Sequence, residues 1–191
     1  MDIFVGYDSR EHACFQVLEY NLSRWGHTVH PINHRELRAQ KKFSREWLIK
    51  DDGQYEDLRD RKPFSTEFTH SRFAAIPMAR ELEIDDWCLF CDTDFLFLDD
   101  PENMVQLVAK RAPTDAIACV QYDWHEEEGV KMDGMLQLLY HRKLWSSMFL
   151  FDPQHPVHDY LTFHRVNWES GISMHTFSWV PDDKIWGIPQ V

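Results

Sequence analysis

The feature that most constrains this chain is a short apolar run that ends in two closely spaced carboxylates. Residues 87–91 read Trp-Cys-Leu-Phe-Cys, and Asp92, Thr93 and Asp94 follow directly. A fully apolar run of this length, bounded by polar residues, is typical of a strand buried on both faces of a sheet. The sequence therefore predicts a buried strand over residues 87–91, with Asp92 and Asp94 at its carboxyl end.

The two aspartates are candidate metal ligands. Ligands of open α/β sheets bind at the carboxyl ends of the strands, and two ionised carboxylates this close repel each other unless a cation lies between them. Mg²⁺ and Mn²⁺ take oxygen ligands and commonly share them between carboxylates and substrate phosphates. An Asp-x-Asp alone also occurs in solvated turns, but here residues 95–98 continue as Phe-Leu-Phe-Leu. We therefore interpret Asp92 and Asp94 as ligands of Mn²⁺ or Mg²⁺.

Strands and helices alternate along the rest of the chain. Apolar runs predict further strands at 3–7, 28–32, 116–122 and 144–151, and helical spacing predicts helices at 9–25, 66–82 and 158–166, with another starting at Asp100. Pro77 is expected to kink the second of these helices. Residues 33–64 are polar and are interpreted as a partly helical excursion whose charges are solvated. Such alternation predicts one α/β domain over residues 1–191, with a mostly parallel sheet flanked by helices.

Composition excludes several classes of protein. The formal net charge of −12 would repel a polyanion, so we expect no nucleic-acid partner. The sequence has no P-loop, G-x-G-x-x-G or G-x-S-x-G motif, which argues against P-loop kinases, Rossmann dehydrogenases and serine hydrolases.

Its apolar runs are too short for a transmembrane segment, and no signal peptide is evident. Cys14, Cys88, Cys91 and Cys119 are interpreted as buried reduced thiols, which fits a cytoplasmic protein.

Five segments, taken in chain order, resemble the motifs of one enzyme family. They resemble retaining glycosyltransferases with the GT-A fold, of the glycogenin and lipopolysaccharide galactosyltransferase type. Residues 3–8 resemble the nucleotide-contacting first strand, 65–73 the helix before the metal motif, 92–94 the metal motif, 144–152 the strand lining the donor sugar, and 179–189 the late acidic motif. The resemblance implies a GT-A fold and transfer of a sugar from a nucleotide diphosphate, expected to be a UDP-sugar, to a hydroxyl of a carbohydrate or another acceptor.

The resemblance also implies roles for individual residues. Asp92 and Asp94 would bind the metal, and Asp182 or Asp183 would lie near the anomeric carbon or the acceptor hydroxyl as catalytic residues. Tyr7 and Asp8 would contact base and ribose, and Arg72 would neutralise the diphosphate. The residues expected to bind the donor are Tyr7, Asp8, Arg72, Thr93, Ser146 and Ser147.

The chain departs from the family in two places. Trp145, Ser146 and Ser147 stand where many members have Asn-x-Gly, which implies different contacts to the donor sugar. The family usually has a third metal ligand, a His, near its C-terminus, in a portion that we expect to be missing here. None of the His residues of this sequence occupies the matching position.

Two alternatives fit parts of the pattern. A phosphatase of the haloacid dehalogenase type also has a strand that ends in Asp-x-Asp, with the first Asp as nucleophile. A later acidic pair such as Asp182 and Asp183 would suit that enzyme as well. The other alternative is a catalytically degenerate module that binds a sugar nucleotide without transferring the sugar.

Overall fold

The computed structural model describes residues 1–122, 129–130, 136–137 and 140–189. The strands and α-helices in these ranges are β1 Asp2–Gly6, α1 His12–Ser23, β2 Thr28–Ile32, α2 His34–Ala39, β3 Trp47–Ile49, β4 Tyr55–Asp57, β5 Pro63–Phe64, α3 Ala75–Glu81, β6 Cys88–Cys91, α4 Glu102–Arg111, β7 Ile117–Cys119, β8 Gly129–Val130, β9 Leu136–Gln137, β10 Met148–Phe151, α5 Phe163–Trp168, α6 Gly171–His175 and β11 Ile185–Gly187. Short 3₁₀ helices occupy Ser9–Glu11, Ser71–Ala74, Pro156–Tyr160 and Asp182–Lys184.

The core of the fold is a six-stranded sheet in the order β11-β7-β10-β6-β1-β2. Strand β1 is parallel to β2 and β6, and β11 is parallel to β7. Strand β10 lies between β6 and β7 and is antiparallel to both. The expected mixed α/β architecture with a mostly parallel sheet flanked by helices is confirmed, and the predicted strand at 144–151 is the one that runs in the opposite direction.

Alternating residues of the central strands pack on opposite faces of the sheet. Ile3 and Val5 belong to a cluster that includes apolar residues of α1 and α4, whereas Phe4 and Phe90 pack with residues of α3 on the other face. Ile3, Phe4 and Val5 are all 0% exposed. Burial on both faces explains why β1 and β6 read as continuous apolar runs.

The helix expected at 66–82 is shorter than predicted. Its α-helical part is α3, preceded by the 3₁₀ helix Ser71–Ala74, and Pro77 lies in the first turn of α3. Proline is tolerated in the first turn of a helix, so Pro77 lies near the beginning of α3 instead of in the interior of a long helix. The helix expected at 158–166 is divided between the 3₁₀ helix Pro156–Tyr160 and α5.

The cysteine prediction is correct for three of the four thiols. Cys88, Cys91 and Cys119 are buried, and all four cysteines are free. Cys14 lies on the outer side of α1 and is exposed, so its predicted burial is wrong. Among the described residues, no helix has both the length and the apolar character needed to cross a membrane.

The polar excursion at 33–64 is more ordered than its composition indicates. It contains α2 and a small antiparallel sheet, β3-β4-β5, with Tyr55 and Phe64 buried. Arg45 forms a buried ion pair with Asp57, so the expectation that the charges of this segment are solvated is wrong for these two residues.

Candidate functional site

The candidate site lies at the carboxyl edge of the parallel strands. Asp92 follows β6 at this edge, as Tyr7 follows β1. Because β10 is antiparallel, the residues that precede it reach the same edge: Met148 pairs with Cys91, and the main-chain N of Asp92 donates to the carbonyl of Ser147 at 2.9 Å. Strand direction therefore brings residues 146 and 147 beside the Asp-x-Asp.

Arg72 crosses this edge and contacts Asp92. Its Nη1 lies 2.9 Å from Oδ1 of Asp92 and donates to the carbonyl of Ser146 at 2.8 Å. The guanidinium also lies over the rings of Phe68 and Phe90, at 5.1 and 5.5 Å from their centroids. Arg72 is 6% exposed, so its charge is held in place in a region where electrostatic interactions are little screened.

A cavity of about 150 Å³ opens beside this ion pair. It brings together four of the predicted site residues, namely Arg72, Asp92, Ser146 and Ser147. Its other walls come from the end of the 33–64 excursion, the segment after it, the turn before β10, and α6, and they combine apolar residues such as Phe64 and Ile172 with polar ones. The polar residues are Asp60, Lys62, Ser65, Thr66, Thr69, His70, Tyr140, Lys143 and His175.

The other two residues of the Asp-x-Asp differ in environment. Thr93 is 1% exposed, and its hydroxyl donates to Oε2 of Glu11 at 2.7 Å. Asp94 lies in the turn that follows and is exposed. Two carboxylates from one strand end are oxygen ligands of the kind that Mg²⁺ and Mn²⁺ prefer, so the donor set fits a cation that takes its remaining ligands from phosphate and water.

Two other groups of potential metal ligands occur in the described ranges, and neither includes Asp92 or Asp94. One consists of His27, Asp100 and Glu102, and the other of Asp57, Asp60 and His70. In the second group, Arg45 already contacts both carboxylates and supplies the positive charge. Burial is the main cause, and the charge of Arg45 the second, that holds the pKa of His70 well below its usual value. This imidazole is therefore neutral.

Tyr7 and Asp8 lie next to the Asp-x-Asp but differ in accessibility. The Tyr7 hydroxyl lies 3.1 Å from Nδ1 of His12 near the surface. Asp8 is 0% exposed and accepts hydrogen bonds from the side chain and main chain of Arg10 and from the main chain of Glu67. Burial alone would raise the pKa of Asp8, but these hydrogen bonds outweigh it and lower the pKa below its usual value. Its contacts are those of a residue that shapes the loop after β1.

Asp182 and Asp183 lie at the opposite edge of the sheet. They precede β11, whose first residue, Ile185, pairs with Ile117 at the start of the parallel strand β7. Both carboxylates are exposed, and Oδ1 of Asp182 lies 2.5 Å from Nη2 of Arg142. Neither residue lines the cavity. The structure therefore does not bring the predicted catalytic pair together with Arg72 and Asp92.

Several cavity residues were not predicted from the sequence. Lys143 is 5% exposed, and His175 is 9% exposed with its Nδ1 2.6 Å from the Ser146 hydroxyl. Burial raises the pKa of Tyr140, which lies beside them. No local sequence pattern would have found Lys143, because its place depends on the direction of β10. Residues that precede an antiparallel strand lie at the same edge of the sheet as residues that follow its parallel neighbours.

Comparison with known proteins places the chain in a family. No family model matches it. Protein CDI of Arabidopsis thaliana is 36% identical over 192 residues, which cover 99% of this chain and 67% of Protein CDI. This chain belongs to the Protein CDI family. The family name by itself states no activity.

Solved structures similar to this Protein CDI family member are glycosyltransferases. The apo structure of the WbbM bifunctional glycosyltransferase has a TM-score of 0.56 at 10% identity, and the match covers 99% of this chain but only 38% of that one. The match to the apo form of mouse xyloside xylosyltransferase 1 has 11% identity and covers 98% of this chain and 85% of that one. Its TM-score of 0.47 is too low to establish a shared fold. The first likeness shows the fold, and the GT-A-type fold expected from the sequence is confirmed.

Proposed function

We propose that this member of the Protein CDI family is a metal-dependent glycosyltransferase that moves a sugar from a nucleotide diphosphate to an acceptor hydroxyl. The proposal rests on the ion pair between Arg72 and Asp92, whose Nη1 and Oδ1 atoms are 2.9 Å apart. This pair lies on the wall of a cavity at the carboxyl edge of a GT-A-type sheet. A UDP-sugar is the first donor to test, and a carbohydrate hydroxyl is the first acceptor.

In this proposal, Arg72 stabilises the diphosphate as it leaves. The leaving group gains negative charge in the transition state, and a fixed guanidinium aimed at that charge lowers the barrier without having to reorganise. The contacts of Arg72 with Ser146 and with two aromatic rings hold it in place before the donor arrives. Asp92 and Asp94 would hold a Mn²⁺ or Mg²⁺ ion, which neutralises diphosphate charge when bound.

The remaining proposed contacts concern the sugar and the nucleoside. Ser146 and Ser147 line the cavity, and as hydroxyl residues they suit a ligand that both donates and accepts hydrogen bonds. Tyr7 lies beside the strand ends as a proposed contact for the base, with Asp8 and Thr93 supporting the loops around it. The catalytic assignment of Asp182 and Asp183 stays a prediction, and their position at the amino edge gives it no support.

The phosphatase alternative requires the Asp92 carboxylate to act as a nucleophile. That carboxylate contacts a buried guanidinium, which makes it less nucleophilic, and no observation favours this reaction. Retention of configuration, a cytoplasmic location and a single domain over residues 1–191 remain parts of the proposal. The chain matches about two thirds of the length of Protein CDI, so any activity of the longer protein is likewise proposed.

The decisive measurement is donor binding with and without Mn²⁺. We expect a UDP-sugar to raise the melting temperature of the wild-type protein more in the presence of Mn²⁺ than in EDTA, because the ligand binds only the native state. Asp94→Asn should abolish the Mn²⁺-dependent part of this shift while leaving the melting temperature of the ligand-free protein unchanged, since Asp94 is exposed.

A matched control is Asp99→Asn, which removes an exposed carboxylate from the same loop and should leave the shift as in the wild type. Equal shifts with Mn²⁺ and with EDTA in the wild type would refute the metal-dependent proposal. Release of free UDP from the donor then distinguishes a transferase from a module that only binds sugar nucleotides.

A further inference from the structure

A buried histidine that the proposed mechanism does not use lies on the cavity wall, in contact with one of the two serines. Nδ1 of His175 lies 2.6 Å from Oγ of Ser146, and both residues line the cavity. Ser146 is 2% exposed and His175 is 9% exposed. A hydrogen bond shielded from water in this way is stronger than one at the surface. It therefore fixes the rotation of the Ser146 hydroxyl.

The imidazole of His175 is itself held in place. His175 is the last residue of α6, and its ring centroid lies 5.1 Å from that of Phe73, with 80° between the two planes. Phe73 is 0% exposed and belongs to the hydrophobic core. Such an edge-to-face contact is a favourable arrangement of two rings. The core therefore determines the point from which Nδ1 approaches Ser146.

The length of this hydrogen bond indicates which atom donates. Bonds in which N–H donates to oxygen span about 2.7–3.2 Å, whereas hydroxyl donors form shorter bonds, from about 2.5 Å. The 2.6 Å between Oγ and Nδ1 lies below the first range and suits a hydroxyl donor. The distance therefore favours a Ser146 hydroxyl that donates to Nδ1, with the imidazole proton on Nε2.

Ser146 connects this pair to the proposed diphosphate site. Its main-chain carbonyl accepts from Nη1 of Arg72 at 2.8 Å, and the same Nη1 lies 2.9 Å from Oδ1 of Asp92. The sugar of a nucleotide sugar is bonded directly to the diphosphate, so it must lie next to the groups that bind the diphosphate. The Ser146 hydroxyl is therefore well placed to meet the sugar.

A serine hydroxyl that has given its proton to a histidine can only accept further hydrogen bonds. The Ser147 hydroxyl is committed in the same way, since it donates to the carbonyl of Leu144 at 2.7 Å. Both serine oxygens then offer lone pairs to a ligand. Lone pairs match the O–H donors of a sugar and repel the oxygen of a carboxylate or a carbonyl group.

We propose that His175 is a positioning residue, which acts through Ser146 to favour a donor whose sugar presents a hydroxyl group at this point of the cavity. The proposal rests on the proposed function for the identity of the ligand as a nucleotide sugar. It adds the reason why a sugar hydroxyl is bound there in preference to a group that only accepts hydrogen bonds. A site built to bind a substrate hydroxyl discriminates strongly against analogues that lack it.

The test measures binding of UDP, UDP-glucose, UDP-galactose and UDP-xylose by isothermal titration calorimetry in the presence of Mn²⁺. His175→Phe keeps an aromatic ring but removes the acceptor, and Ser146→Ala removes the hydroxyl. Each should weaken binding of the UDP-sugar that the wild type binds most tightly by about 3- to 10-fold, the effect of one hydrogen bond. Binding of UDP itself, which has no sugar at this point, should change by less than about twofold.

Two further variants separate positioning from a general structural role. His175→Asn places an amide oxygen near the former Nδ1, so it should recover most of the affinity that His175→Phe loses. Ser178→Ala is the matched control, because it removes an exposed serine hydroxyl that lies close to α6 but does not line the cavity. Its affinities should equal those of the wild type.

The double variant His175→Phe with Ser146→Ala tests whether His175 acts through Ser146. It should bind the UDP-sugar no more weakly than Ser146→Ala alone, because the second change removes nothing that the first has left. A loss equal to the product of the two single losses would show independent roles and overturn the inference.

Nitrogen-15 NMR of the wild-type imidazoles tests the same hydrogen bond without a change at position 175. The His175 signal, assigned by the change it undergoes in Ser146→Ala, should show Nδ1 without a proton and Nε2 with one. A proton on Nδ1 would overturn the inference even if His175→Phe failed to fold.

The outcomes distinguish this inference from the proposed function. Unchanged affinity of both single variants for the UDP-sugar, or equal losses for UDP and the UDP-sugar, overturns the role of His175. The proposed function then stands, since the wild type still binds the donor. Failure of the wild type to bind UDP and every UDP-sugar overturns the proposed function and the inference together.

Discussion

At Gly6, the last residue of β1, the central sheet approaches the segment that carries Arg72. A Cβ atom on Gly6 would lie 2.3 Å from Cδ2 of Phe68, far inside van der Waals contact. Phe68 is 1% exposed and lies under the guanidinium of Arg72. The missing side chain of Gly6 is therefore what allows Phe68, and with it Arg72, to pack against the strand.

Gly6→Ala should lower the free energy of unfolding by about 1–3 kcal/mol, because a buried ring must move to accept the methyl group. Gly187→Ala is the matched control, since there the added Cβ meets only the flexible end of the exposed Gln121 side chain, at 3.1 Å. Urea denaturation measures both variants. Equal stability of Gly6→Ala and the wild type would mean that Phe68 does not hold this position.

Among the elements, β10 and the 33–64 excursion do most to shape the site. Because β10 is antiparallel to β6, the residues just before β10, including Lys143, lie at the same edge as Asp92, and both line the cavity. The excursion supplies Asp60 and Lys62 to the opposite wall. It is anchored by the buried pair of Arg45 and Asp57, whose side chains are each 1% exposed.

Arg45→Ala should destabilise the protein by about 3–5 kcal/mol, since it leaves the Asp57 carboxylate buried without its counter-ion. Replacing both partners, as Arg45→Met with Asp57→Leu, should recover part of the loss, because the Asp57 carboxylate is removed together with its counter-ion while Asp60 still loses its contact with Arg45. Thermal unfolding of the single and double variants measures the difference. A double variant no more stable than Arg45→Ala would show that the packing of the Arg45 side chain contributes more to the free energy of unfolding than its charge does.

At the scale of the whole molecule, both faces of the sheet are covered, and this burial determines the charge of several histidines. His158 is 0% exposed, with Nε2 3.3 Å from the carbonyl of Ala116 and Nδ1 accepting from the Trp179 indole. Burial lowers the pKa of His158 from 6.5 to about 4. The folded protein therefore holds this imidazole neutral at pH values where the unfolded chain would bind a proton.

Stability should consequently fall as the pH drops from 6.5 towards 4. The unfolded state binds the extra proton in this window, so His158 contributes a loss of roughly 1 kcal/mol for each pH unit between 6 and 5. His158→Gln, which keeps one donor and one acceptor, should show a shallower dependence of unfolding free energy on pH. His164→Gln on the exposed side of α5 is the control and should follow the wild type. Identical slopes for all three proteins would contradict the prediction.

The sequence by itself determined the elements that build the centre of the fold. The apolar runs at the first strand and at residues 87–91, and the position of Asp92 directly after the latter, follow from local patterning, because a strand buried on both faces must be apolar throughout. The alternation of strands and helices was enough to predict the α/β class, and the order of motifs was enough to predict the GT-A-type fold.

Only the tertiary structure decided which residues share the site. Arg72 and its hydrogen-bond partner, the main-chain carbonyl of Ser146, are 74 residues apart in the sequence. Hydrophobic periodicity indicates which residues of a segment are buried, but not which segments lie beside it or in which direction it runs. The reversed direction of β10 moved Lys143 to the cavity, and the register of β11 left Asp182 and Asp183 at the far edge. Strand pairing is a long-range choice set by the packing of the whole core, and no local pattern encodes it.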